Sequence, residues 1–188
     1  MKLLRWHYVR TQQRLSVDKL WFFDESGVNL SMTRAYARGP RGQRVVGHVP
    51  KNWGESETLM AGIGVRGVLA PMLIHGSLTA AVFEHYLAEF VGPQLQRGDV
   101  IVLDNLGAHR TEAARRVIEE RGAQLLFLPP YSPDLNPIEL AWSKVKTLVR
   151  GVAARCVDDL VGAVAAALRS LRPDDIRAWI RHCGYLIS

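Results

Sequence analysis

Two short apolar runs that each end on an aspartate limit what this chain can fold into more tightly than any other feature: Leu20-Trp21-Phe22-Phe23-Asp24 and Val100-Ile101-Val102-Leu103-Asp104. Unbroken apolar runs of four or five residues, bounded by polar residues, read as strands buried on both faces. The first is closed by Glu25-Ser26-Gly27, which reads as a turn. In an open α/β sheet ligands bind in the crevice beyond the strand ends, so two acids delivered there by different strands can converge on one cation. Carboxylates brought together repel unless a hard divalent ion neutralises them, and an all-oxygen donor set suits Mg²⁺. Taken singly, each aspartate is equally well read as a turn residue bonding its own backbone.

The rest of the chain supplies the partners of such a sheet. Thr58–Val65 and Val68–Ile74, separated by Arg66-Gly67, read as a hairpin. Thr79–Val91 has apolar residues at helical spacing behind a capping threonine, and Thr111–Arg121 is a further helix. Gln124–Leu128 is a third buried strand. Helices are predicted over Asn136–Val149, Val157–Leu171 and Asp174–His182. The element order implies an α/β fold, a mixed sheet with helices on both faces. At 188 residues and 48% hydrophobic, one core is enough. Two unpaired-looking cysteines, Cys156 and Cys183, give no disulfide or zinc framework, and no run approaches the ~18 apolar residues of a membrane span. The expectation is a soluble cytoplasmic protein.

Charge is unevenly placed. Residues 1 to 54 hold ten Lys and Arg against three acids, whereas the remainder holds 14 against 15. Between Ser31 and Gly54 there is no acid, and Arg34, Arg38, Arg41, Arg44 and Lys51 alternate with Tyr36 and Trp53. Such a stretch suits a polyanion, with counterion release making binding salt-dependent. A solvated loop on a basic protein is the alternative.

A third acid, Glu139, follows the string Pro129-Pro130-Tyr131-Ser132-Pro133-Asp134-Leu135-Asn136-Pro137-Ile138. Asn136 as cap, Pro137 at the first helical position and Glu139 three residues on also spell a capping box. The whole pattern, Asp24, then Val102-Leu103-Asp104-Asn105 with His109, then the proline-rich string to Glu139, resembles the catalytic domain of a DDE transposase, in the bacterial insertion-sequence branch of the mariner superfamily. Thirty-four residues separate Asp104 from Glu139, a spacing that branch uses. The resemblance runs from about Leu20 to Arg150 and includes the basic segment from Arg34 to Gln43.

The resemblance implies an RNase H-like fold with a five-stranded mixed sheet. It implies two Mg²⁺ or Mn²⁺ ions held by Asp24, Asp104 and Glu139, cleavage at transposon ends by water, and transfer of the freed 3′-hydroxyl to target DNA. Arg34, Arg38, Arg41, Arg44, Asn105, His109 and Lys146 are the candidate DNA contacts. His109 either meets phosphate, orients a neighbour or is structural. Glu25, adjacent to Asp24, points to the other face of its strand and is not counted a ligand. Trp142 and Lys146 share a helix face with Glu139. Trp142 suits core or base stacking equally, and Lys144 lies off that face.

The domain reading is a basic arm over 1–18, the catalytic domain over 19–150 and C-terminal helices over 151–188 packed on it. The family's amino-terminal helix-turn-helix region has no counterpart in the eighteen residues before the first strand. The expectation is either that the chain is a fragment or that this region is encoded in an upstream frame and joined by frameshifting. A homodimer is implied by the need to hold two ends, and DNA binding in the nucleoid by the activity. Two alternatives share the acids: an RNase H-like nuclease without strand transfer, and an inactive truncated remnant that binds DNA.

Overall fold

The computed structural model describes residues 2–49 and 56–187, so Lys51 and Trp53 of the basic stretch lie outside the described residues. Its centre is a five-stranded sheet of β1 (Leu20–Asn29), β2 (Ser56–Gly64), β3 (Gly67–His75), β4 (Val100–Leu103) and β5 (Gln124–Phe127), in the order β3-β2-β1-β4-β5. β1, β2 and β3 are antiparallel, while β4 and β5 run parallel to β1. The helices are α1 (Lys2–Gln12), α2 (Ala80–Tyr86), α3 (Glu112–Glu120), α4 (Pro137–Val152), α5 (Val157–Arg169) and α6 (Pro173–His182). This is the mixed five-stranded α/β sheet that the sequence implies.

Strand periodicity divides the core in two. Leu20 and Phe22 of β1 and Val102 of β4 pack with Ile138, Ala141 and Val145 of α4 and with Leu160 of α5. Trp21 and Phe23, with Ile101 and Leu103, pack on the opposite face against Phe83 and Tyr86 of α2 and Ile118 of α3. Successive side chains of a strand alternate faces, so each central strand feeds both layers, which is why its sequence is apolar without interruption.

The local signals place most boundaries. Thr79 caps α2 by accepting from the Val82 amide at 3.3 Å, and Thr111 caps α3 by accepting from Ala114 at 3.1 Å. Beyond Tyr86 the helix continues as a wider π-type turn over Leu87–Val91. The hairpin turns at Val65-Arg66, with Gly67 at φ +121° where a side chain would be strained.

Two regions differ from the sequence reading. β1 does not stop at Asp24 but continues through Glu25-Ser26-Gly27 to Asn29, because β2 pairs with it residue by residue as far as Asn29 opposite Ser56. Backbone pairing outweighs the turn preference of Ser and Gly there. The basic N-terminal arm contains a helix, α1, docked by long-range polar contacts. Tyr8 and Tyr185 share a buried hydroxyl–hydroxyl hydrogen bond of 2.8 Å, the Gln12 amide donates to the Cys183 carbonyl, and Arg5 pairs with Asp134 at 2.6 Å. Cys156 and Cys183 are free thiols. Among the described residues no helix is long and apolar enough to cross a membrane.

Candidate active site

β1 and β4 are parallel neighbours with Phe22 opposite Val102, so Asp24 and Asp104 each stand two residues beyond the same rung and on the same face. That face is covered by α4, and Glu139 lies in the first turn of α4. All three acids line one cavity of about 650 Å³, walled by the Leu128–Pro133 loop and Asn136. The capping-box alternative for Glu139 does not form. The Asn136 amide is already taken by the Pro133 carbonyl at 3.0 Å, and the Asn136 side chain makes no cap hydrogen bond. Among the described residues its Oδ1, buried beside the cavity, has no hydrogen-bond partner, and Glu139 is left exposed at the cavity.

The site is short of positive charge. Burial, then repulsion from Glu25, Glu139 and Asp104, pushes the Asp24 carboxyl up to about 8. Asp104 behaves oppositely: burial acts to raise it, but hydrogen bonds from His109 and from the Leu106 amide outweigh that and hold it below the ordinary carboxylate range. His109 Nδ1 lies 2.7 Å from Asp104 Oδ1, which also accepts from the Leu106 amide at 2.9 Å. The other ring nitrogen, Nε2, is 3.2 Å from Glu25 Oε2. No hydrogen bond of good alignment reaches that oxygen, so the contact is a charge pair rather than a directed bond. Burial disfavours the charged imidazole, yet the two carboxylates prevail and raise His109 to about 9, which makes it an imidazolium at neutral pH. Phe83 packs on its ring at 4.4 Å between centroids.

This arrangement corrects the DNA-contact reading of His109. Its side chain is 1% exposed and both nitrogens face carboxylates, so no edge is left for a phosphate. Glu25 does lie on the opposite face from Asp24, as strand alternation requires, but it braces the imidazole that orients Asp104. The sequence carried no signal for this, since the contact joins β1 to the turn after β4. Asn105 donates its side-chain amide to the Leu128 carbonyl, tying the ends of β4 and β5 together at the cavity wall. Arg34, Arg38, Arg41 and Arg44 are exposed on the irregular segment between β1 and β2, with the Arg34 guanidinium against Gly151 near the end of α4. Lys146 is half-buried on α4, Trp142 is core, and Lys144 pairs with Asp175 at 2.7 Å. Arg110, unremarked in the sequence, also lines the cavity.

Among the described residues no group of three or more His, Cys, Asp or Glu side chains is placed to hold a metal ion. The three acids share a cavity and sense one another's charge without closing a coordination shell. The donor set is nevertheless of the right kind: carboxylate oxygens whose mutual repulsion a hard divalent ion would relieve.

Residues 19–161 match the DDE superfamily endonuclease family. The chain belongs to that family. It is 30% identical over 102 residues to the Tcb1 transposase of Caenorhabditis briggsae, covering 52% of this chain and 37% of that protein. It is 32% identical over 77 residues to the Tc1 transposase of Caenorhabditis elegans, covering 41% and 28%. The chain thus matches well under half the length of these relatives. The catalytic domain of Mos1 mariner transposase superposes with a TM-score of 0.61 at 14% identity, covering 100% of this chain and 93% of that one. A Mos1 paired-end complex with the left transposon end gives a TM-score of 0.79 at 15% identity over 97% of this chain and 57% of that one. The fold of this member of the DDE family is therefore RNase H-like.

Proposed function

We propose that this chain is the catalytic domain of a DNA transposase, cutting phosphodiesters at transposon ends and joining the freed 3′-hydroxyl to target DNA with two bound Mg²⁺ or Mn²⁺ ions. The observation that carries the reading is the meeting of Asp24, Asp104 and Glu139, from β1, β4 and α4, in one cavity short of positive charge. These acids would hold the ions. When bound, two such ions supply charge to both the attacking and the leaving oxygen of an in-line displacement at phosphorus.

The chain's own residues prepare that site. His109 and the Leu106 amide hold Asp104 ionised through Oδ1, and among the described residues its other oxygen carries no hydrogen bond. Asp24, its carboxyl pushed up to about 8 by burial and the neighbouring acids, would bind a cation in competition with a proton. The exposed arginines 34, 38, 41 and 44, with half-buried Lys146 of α4, hold the phosphate backbone, so binding falls steeply with salt and carries little sequence preference. Support for DNA and divalent metal also comes from Mos1, whose transposase is known in paired-end complexes with Mn and with Mg. The same reading places the chain in the bacterial insertion-sequence branch, at the nucleoid, acting as a homodimer with a helix-turn-helix region supplied from upstream.

Supercoiled plasmid is expected to be nicked by the wild type with Mg²⁺ or Mn²⁺, and not with EDTA or by Asp104→Asn. A pre-cleaved end with a free 3′-hydroxyl is expected to join to plasmid. Nicking without joining would favour the hydrolytic nuclease; nicking retained in Asp104→Asn would overturn the site.

A further inference from the structure

Tyr131 is held in a conformation that its residue type disfavours. Its φ is +54°, in the left-handed region that costs a bulky L-residue energy, yet its side chain is 89% exposed and gains no packing in return. The backbone on either side is pinned. Pro129 and Pro130 precede it, their φ angles fixed by their rings. Ser132 is buried, donates its hydroxyl to the Pro130 carbonyl at 3.2 Å and accepts from Arg5 at 2.8 Å. Arg5 also grips both oxygens of Asp134, and the Tyr185 hydroxyl donates to the Leu135 carbonyl at 3.0 Å. Helix α1 and the C-terminus thus clamp a loop whose strained residue presents an unused aromatic ring at the wall of the cavity that holds the three acids.

We propose that the Tyr131 ring is a stacking platform for an unpaired base of a DNA strand entering the acidic cavity. The inference rests on the DNA-cleaving reading of that cavity and adds the group that receives a base beside the cleaved phosphate. The hydroxyl at the ring's edge can donate to a phosphate, a task already given to the arginines, whereas the exposed ring face offers the surface that a base stacks on. Every base offers it a π-face, but within a duplex those faces are covered by neighbouring pairs, so the partner is a base out of the stack. Strain held in advance, with the ring's rotamers limited to two torsions, spares the complex the ordering of a loop.

The test uses a duplex with a three-nucleotide single-stranded end carrying 2-aminopurine, whose fluorescence falls when it stacks. Wild type and Tyr131→Phe are expected to quench it and to bind alike. Tyr131→Gly is expected to lose the quenching and bind roughly tenfold more weakly, while its melting temperature stays level or rises because glycine relieves the positive φ. A ring serving the fold would give the reverse, a lowered melting temperature with quenching intact, and that result overturns the proposal, as does a phenylalanine variant as weak as the glycine one. Metal-dependent nicking by the wild type, measured alongside, separates the two readings. Nicking with no effect of the ring defeats only the platform, and an effect of the ring without nicking upholds the platform and defeats the cleavage reading.

Discussion

The two ends of the β1–β4 pair handle buried negative charge in opposite ways. Where β4 begins, Asp99 is wholly buried and fully compensated. Both its oxygens lie 2.7 Å from Arg66, and it accepts from the Trp21 indole at 3.2 Å and from the Gln96 amide at 2.9 Å, with Lys19 at 3.9 Å. Arg66 in turn lies over the Trp21 ring. Where the same strands leave the sheet, Asp24, Asp104 and Glu139 face one cavity, and among the described residues the one side-chain cation bonded to any of them is His109, spent on Asp104 and Glu25. A carboxylate that serves the fold is satisfied from within the chain; a group of carboxylates left repelling one another is kept for a cation from outside.

That contrast is sharpest in stability. Asp99→Ala strips Arg66, the Trp21 indole and the Gln96 amide of their acceptor, and is expected to cost about 3 kcal/mol in urea unfolding. Asp24→Asn or Glu139→Gln, measured the same way without metal, is expected to leave the fold at least as stable, because each removes repulsion. Equal losses at both ends would erase the distinction. A smaller effect is expected one residue behind the site. Glu25→Gln leaves the three acids in place but loosens His109, and is expected to weaken Mn²⁺ binding about tenfold to a hundredfold with little change in melting temperature, because the lost pairing with His109 is offset by relief of the repulsion on Asp24. Binding equal to wild type would reduce Glu25 to a bystander.

The pH dependence has a definite sign. Asp24 at about 8 and His109 at about 9 both hold protons more tightly in the folded chain than when unfolded. Folded protein therefore carries more protons than unfolded over this range, and stability falls as pH rises. The His109 contribution is whole below its unfolded value near 6.5 and is lost as pH climbs through about 9. The Asp24 contribution fades between about 4 and 8. Melting temperature without metal is expected to drop from pH 6.5 to 9, and Mg²⁺ to raise it more at pH 9, where no proton need be displaced from Asp24. A flat profile would contradict both assignments.

Much of this could be read from the chain. The apolar runs ending on Asp24 and Asp104 are central strands because only a strand buried on both faces is apolar at every position, and the threonine caps at 79 and 111 set helix starts by a local hydrogen bond. What escaped was set by distant partners. Glu25-Ser26-Gly27 looks like a turn until β2 lies beside it, and α1 gains its place from Arg5, Tyr8 and Gln12 reaching residues more than a hundred positions away. The candidate acids were legible through spacing and resemblance, whereas the Glu25–His109 brace and the strain at Tyr131 exist only once the chain has closed on itself.

Whether the uncompensated end is a cation site is tested most directly by titrating the chain with Mn²⁺ in a calorimeter, without DNA, beside Asp24→Asn and Glu139→Gln. Saturable binding by the wild type, abolished or sharply weakened in both variants while their melting temperatures hold, is the predicted result. Binding of equal strength in all three proteins, or none in any, would contradict it.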